Sequence, residues 1–184
     1  LVLDGAENTT NLPRLLNMRG QCGVLVTTRR REQAAASRQD VQPLPLAEAV
    51  QLLQAWGESW AGDKTAVQEI CELVGRLPLA LRLVGRYLHR QEQRAAEYLA
   101  WLRETPLQAL HHGKRRDQSI PVLLDRTVDQ LSQPAKSALS LFGALSFAPV
   151  PLAVVLAGLK LPEQKGRAAL GELASFGLLL RAED

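Results

Sequence analysis

The sequence predicts a mainly α chain with a small α/β portion: a partial parallel sheet first, then helical segments to the end. Three observations carry this. Two short apolar runs, Leu1-Val2-Leu3 and Val24-Leu25-Val26, are each followed by polar residues at the tip, as in strands buried on both faces of a parallel sheet. From residue 46 onward the apolar residues instead recur at helical spacing. Prolines and glycines stand at the joins between those helical stretches, where they start and stop helices.

Bulk composition narrows the class. The 184 residues are 46% hydrophobic but only 4% aromatic, so Leu, Val and Ala must fill the cores. A net charge of +3 is modest and does not by itself argue for a nucleic-acid or lipid partner. Cys22 and Cys71 lie in apolar surroundings and are expected to be buried, reduced thiols, which suits a cytoplasmic protein. No basic leader precedes the first strand, so no signal peptide is expected, and the longest apolar stretches, such as 148–159, are too short to span a bilayer.

In chain order, the first strand covers residues 1–3. Leu12, Leu15, Leu16 and Met18 follow at helical spacing within 10–18, with Pro13 tolerable in the first turn. The second strand, 24–26, completes a strand–helix–strand unit whose right-handed crossover puts both strand C-termini on one edge. Residues 30–40 are polar and lead out of the sheet. Pro43 and Pro45 mark the first boundary, because they remove helix donors and favour an extended path. A first helix then presents Leu46, Val50, Leu53 and Trp56 and stops at Gly57. Asp63 caps a second, bearing Val67, Ile70, Cys71 and Val74, with Gly75 as its stop. Pro78 opens a third with Leu79, Leu83 and Tyr87, and a fourth over 93–103 presents Tyr98, Leu99 and Leu102.

The basic run His111-His112-Gly113-Lys114-Arg115-Arg116 is read as a linker and the second boundary. Helices are expected over 120–131, 134–145, 151–159 and 162–176, the last ending at Gly177. Leu178-Leu179-Leu180-Arg181 would then be one strand of a small β-ribbon, giving a winged-helix-like unit. The domains are therefore set at 1–42, 43–113 and 114–184.

Few residues carry chemistry. Asp4, at a strand tip, suits a Mg²⁺ site, since this cation keeps several waters and a fixed carboxylate can hold one of them. Glu7 can polarise an attacking water if its loop turns inward. Thr28 and Arg29, at the neighbouring tip, would bring a hydroxyl and a guanidinium to a terminal phosphate; the guanidinium fork pairs phosphate oxygens bidentately and never deprotonates. Gly75-Arg76-Leu77-Pro78-Leu79-Ala80-Leu81 is a helix stop, a turn and a proline-started helix, a complete structural account by itself. No G-x-x-x-x-G-K-[ST] occurs in the sequence, so the usual phosphate cradle is absent.

Taken together, Leu-Val-Leu-Asp, Val-Leu-Val-Thr-Thr-Arg and Gly-Arg-Leu-Pro-Leu-Ala-Leu resemble, in order and spacing, the NB-ARC region of STAND-type signalling ATPases. The resemblance makes residues 1–42 the C-terminal part of a P-loop-type nucleotide-binding domain, 43–113 the helical lid and 114–184 the winged-helix-like domain. It implies that Asp4 holds a Mg²⁺-bound water, with Glu7 as a second catalytic acid and Arg29 as sensor of the γ-phosphate beside Thr28. It also implies that Pro78 contacts adenine with Leu79 packing nearby. Gly5 departs from the Asn or Asp found at its position in bacterial members, and the family's Met-His-Asp motif has no counterpart here.

The expected function is thus a fragment of an ADP/ATP-dependent signalling switch, a bacterial regulator in which ADP locks and ATP releases the lid. Mg-ATP or Mg-ADP belongs to the intact parent; the chain alone is expected to bind nucleotide poorly and to be inactive, because it lacks the cradle that compensates phosphate desolvation. Self-association or contact with other domains of the parent is expected, and no membrane partner. The alternatives are a winged-helix DNA-binding module and a purely helical protein-interaction module. The DNA reading needs a basic recognition helix, yet 151–159 is apolar and 163–172 mixes Lys165 and Arg167 with acids.

Overall fold

The computed structural model describes residues 1–6, 12–17, 20–28, 39–104, 119–145 and 149–179. These residues are mainly helical and carry one small parallel sheet. The chain divides into two units, Leu1–Gln42 and Pro43–Asp184.

In the first unit β1 (Val2–Leu3) and β2 (Leu25–Val26) pair in parallel, Val2 opposite Leu25 and Leu3 opposite Val26. The ladder is carried by Leu25 N–H to the Leu1 carbonyl and Thr27 N–H to the Leu3 carbonyl, both 2.9 Å. Helix α1 (Leu12–Asn17) lies between the strands in sequence; positions 10, 11 and 18 of the expected helix fall outside the described residues. Ala6 and Leu12 are buried. The strands are not covered on both faces as expected. Leu1, Val2 and Leu25 are 63%, 64% and 62% exposed, because two strands and one short helix cannot supply cover for both sides of a sheet. Cys22 is also exposed, not buried: it lies in the irregular stretch before β2.

The second unit begins with the extended Pro43-Leu44-Pro45, whose Leu44 N–H donates to the Arg76 carbonyl at 3.2 Å. Helix α2 (Leu46–Gly57) buries Ala49, Leu53 and Gly57, one stripe at four-residue spacing, and a 3₁₀ turn (Glu58–Ala61) follows. Asp63 caps α3 (Lys64–Leu73) by accepting the Ala66 N–H at 3.1 Å. At its other end Arg76 N–H reaches the Cys71 carbonyl and Gly75 N–H the Glu72 carbonyl, a Schellman closure that needs the left-handed Gly75 (φ 71). Helix α4 (Pro78–Gln91) starts on its proline and packs against both α2 and α6. Helix α5 (Ala95–Glu104) packs on α3, and Arg103 forks onto Glu69 at 2.6 to 2.9 Å. Leu79, expected on the buried face of α4, is 43% exposed; Ala80, Leu81, Val84 and Leu88 join Leu83 and Tyr87 in the core instead.

The remaining helices are α6 (Ser119–Asp129), α7 (Gln133–Ala144), α8 (Leu152–Leu159) and α9 (Glu163–Ser175). Two hydrophobic clusters organise the unit. One joins α2 to α5 and ends on Leu123 of α6; the other joins Leu131, α7 and α9 through Ala135, Ala138, Ala169, Leu173 and Phe176. Glu172 of α9 grips the start of α7, accepting the Ser132 N–H at 2.7 Å and its hydroxyl at 2.6 Å. Leu178 and Leu179 form no strand. After the left-handed Gly177 (φ 72), the Leu178 N–H closes back on the Leu173 carbonyl, and its side chain packs against both clusters. Leu180 and Arg181 of the expected ribbon, and the basic linker at 111–116, lie outside the described residues. No described helix is long and apolar enough to cross a membrane.

Candidate functional site

The parallel register determines what meets at the C-terminal edge of the sheet. With Leu3 opposite Val26, one further step along each strand puts Asp4 beside Thr27. The Thr27 hydroxyl donates to Asp4 Oδ1 in a short hydrogen bond and accepts the Gly5 N–H at 2.9 Å. The Thr27 carbonyl accepts the Ala6 N–H, also at 2.9 Å, so the loop leaving β1 is stitched to the end of β2 by both backbone and side chain. Gly5 can make this turn because its φ of 65 is open to glycine and disfavoured elsewhere.

Asp4 and Thr27 are exposed and Thr28 is half-buried, so the edge carries an exposed carboxylate beside a threonine hydroxyl. One carboxylate with a free second oxygen fits a hard cation that is held mainly through its own waters, as Mg²⁺ is. Among the described residues no group of three or more His, Cys, Asp or Glu stands ready to ligate a metal directly. Glu7 and Arg29 lie outside the described residues.

Pro78 and Leu79 belong to the second unit. Leu77 is extended (φ −81, ψ 125), Pro78 occupies the first turn of α4, and both Pro78 and Leu79 are exposed. Arg76, like Gly75, is left-handed (φ 55), so two successive residues reverse the chain between α3 and α4. Arg76 also pairs loosely with Glu72 at 3.9 Å.

Thr27 was not singled out by type or spacing, yet it is the residue that touches Asp4. Its signal was available in the strand pairing: opposed runs of equal length place the residues just beyond their tips side by side. No protein-family model matches this sequence, and no curated protein matches it either.

Proposed function

We propose that the chain is part of an ADP/ATP-dependent signalling switch of the STAND, NB-ARC-like type. In this reading residues 1–42 close a nucleotide-binding sheet, α2 to α5 form its helical lid, and α6 to α9 form a winged-helix-like domain. The observation that carries the reading is the parallel pairing of β1 and β2, with Asp4 and Thr27 meeting at the C-terminal edge, the edge at which open α/β sheets bind ligands. The proline-started α4 behind a left-handed Gly75-Arg76 turn supports it as a second, independent motif.

Each residue then has a task. Asp4 would hold Mg²⁺ through water, the metal supplying charge neutralisation at the phosphates. Thr27 fixes the Asp4 carboxylate by hydrogen bonding to one of its oxygens. Thr28 and Arg29 would face the terminal phosphate and Pro78 the adenine, with Glu7 beside the attacking water. A switch also requires that nucleotide bind two arrangements with different affinity, since equal affinity shifts nothing.

Calorimetric titration tests this in the intact protein. Asp4→Asn is expected to weaken Mg-ATP binding by about tenfold or more, in the range seen when a group that orients a metal's shell is lost. Arg29→Ala should weaken ATP more than ADP. The 184-residue chain alone should bind neither in the micromolar range. An intact protein that is indifferent to both substitutions, or micromolar binding by the isolated chain, overturns the proposal.

A further inference from the structure

One guanidinium in the second unit is enclosed by aromatic rings where a counter-ion would be expected. Tyr87 of α4 and Tyr98 and Trp101 of α5 stand in series, neighbouring centroids 5.3 Å apart and rings tilted by 57°. Arg126 of α6 places its guanidinium carbon 3.6 Å from the Trp101 centroid, 4.8 Å from Tyr87 and 4.9 Å from Tyr98. Its Nε–H is buried without an acceptor, and its Nη2 reaches Gln93 Oε1 at a long 3.4 Å. Some arginines of the unit have carboxylates, Arg76 with Glu72, Arg103 with Glu69 and Arg167 with Glu163, whereas Arg82 and Arg86 share with Arg126 a buried, unpartnered Nε but face no more than one ring. Among the described residues Arg126 has no carboxylate.

A buried, orphaned guanidinium donor is costly unless something else stabilises the charge. The negative faces of three π-systems do so, and two of these rings are almost wholly removed from water, where the attraction is strongest. We infer that Tyr87, Tyr98 and Trp101 form a cation socket selective for a planar guanidinium, and that its ligand in this fold is the chain's own Arg126.

The position of the socket gives it a task. Leu123 of α6 belongs to the first hydrophobic cluster, while Val128 packs against the second, and Arg126 lies between them. Residues 105–118 separate α5 from α6 in the sequence. A flat cation between rings adds a rotational restraint on α6 beyond the packing of Leu123, Ile120, Val122 and Leu124, and so helps to fix both cores together. Burial pushes the Tyr98 phenol well above its ordinary range, which favours the neutral ring. The bland alternative is that Arg126 merely lays its aliphatic stem on apolar surface, in which case Met or Lys would serve as well.

A double-mutant cycle in urea separates the two. Arg126→Met and Trp101→Leu should each lower the folded-to-unfolded ratio about tenfold, and the double substitution should cost little more than either alone. Multiplicative losses, or a neutral Arg126→Met or Arg126→Lys, overturn the inference. Should a variant fail to fold, the wild-type chain still decides: the Arg126 Hε proton must be ring-current shifted upfield and slow to exchange, and an ordinary, fast-exchanging resonance is fatal. In Arg126→Ala, methylguanidinium should raise the melting temperature saturably and methylammonium should not; equal effects would count against the socket.

Discussion

Cys71 on α3 has no exposed surface, and burial, helped by the neighbouring Glu72 charge, pushes its thiol from 9.0 up to about 11. The fold therefore favours the protonated thiol, whose contribution is fully present below pH 9 and is lost as pH rises through 11, because the unfolded chain gives up its proton first. The urea midpoint of the wild type should fall between pH 9 and 11 more steeply than that of Cys71→Ala, and parallel curves would refute this. Cys22 shows why single residues are hard to read from a sequence. Its apolar neighbours suggest burial, yet it is exposed because burial is conferred by what the rest of the fold lays on a position. Asp4 is legible as the end of an apolar run; its bond to Thr27 is legible only once two runs more than twenty residues apart are set in register.

Helices α2 and α4 cross at glycine. A Cβ on Gly85 would lie 2.5 Å from the Trp56 Cβ and 3.1 Å from the Leu53 carbonyl oxygen, and one on Gly57 would lie 3.7 Å from the Gly85 Cα. Alanine improves helix propensity by about 1 kcal/mol, but here the obstacles are backbone and Cβ atoms that no rotamer change can move. Gly85→Ala is accordingly expected to cost about 2 kcal/mol in urea denaturation, and a neutral or stabilising result would mean the helices separate freely. The glycine was visible in the sequence, but the crossing was not. Boundaries fared better: Asp63, Gly75, Pro78 and Gly177 each act where they stand, because capping is local. The buried face of α4 holds the expected Leu83 and Tyr87 but is wider than the sequence suggests, and it excludes Leu79, for a tertiary reason. The helix is buried against α2 on one side and α6 on the other, so the core takes a wide arc and leaves Leu79 on the remaining side with Arg82, Arg86 and Arg90. Leu178 was misjudged because its N–H closes a helix end, which takes it out of any ladder.

At the scale of the molecule the two units are built differently. The second draws its clusters from residues spread over 44–178 and 128–179 and buries full-sized Leu, Ile, Val and Tyr side chains. The first offers Ala6 and Leu12 as buried apolar residues and leaves Leu1, Val2 and Leu25 more than half exposed on a two-stranded sheet. Such a sheet presents apolar side chains together with outer strand edges, the combination that recruits further strands. The isolated chain should therefore self-associate through this sheet, its apparent mass by light scattering rising with concentration. Lysine at Val2 and Leu25 should hold it monomeric, since edge charges oppose strand addition, while the helical circular-dichroism signal and its melting stay unchanged because the helical cores lie elsewhere. A wild-type chain that remains monomeric at high concentration would show that the exposed strands recruit nothing. Association that survives both lysines would move the contact to another surface, such as the exposed apolar side of α8 around Val154.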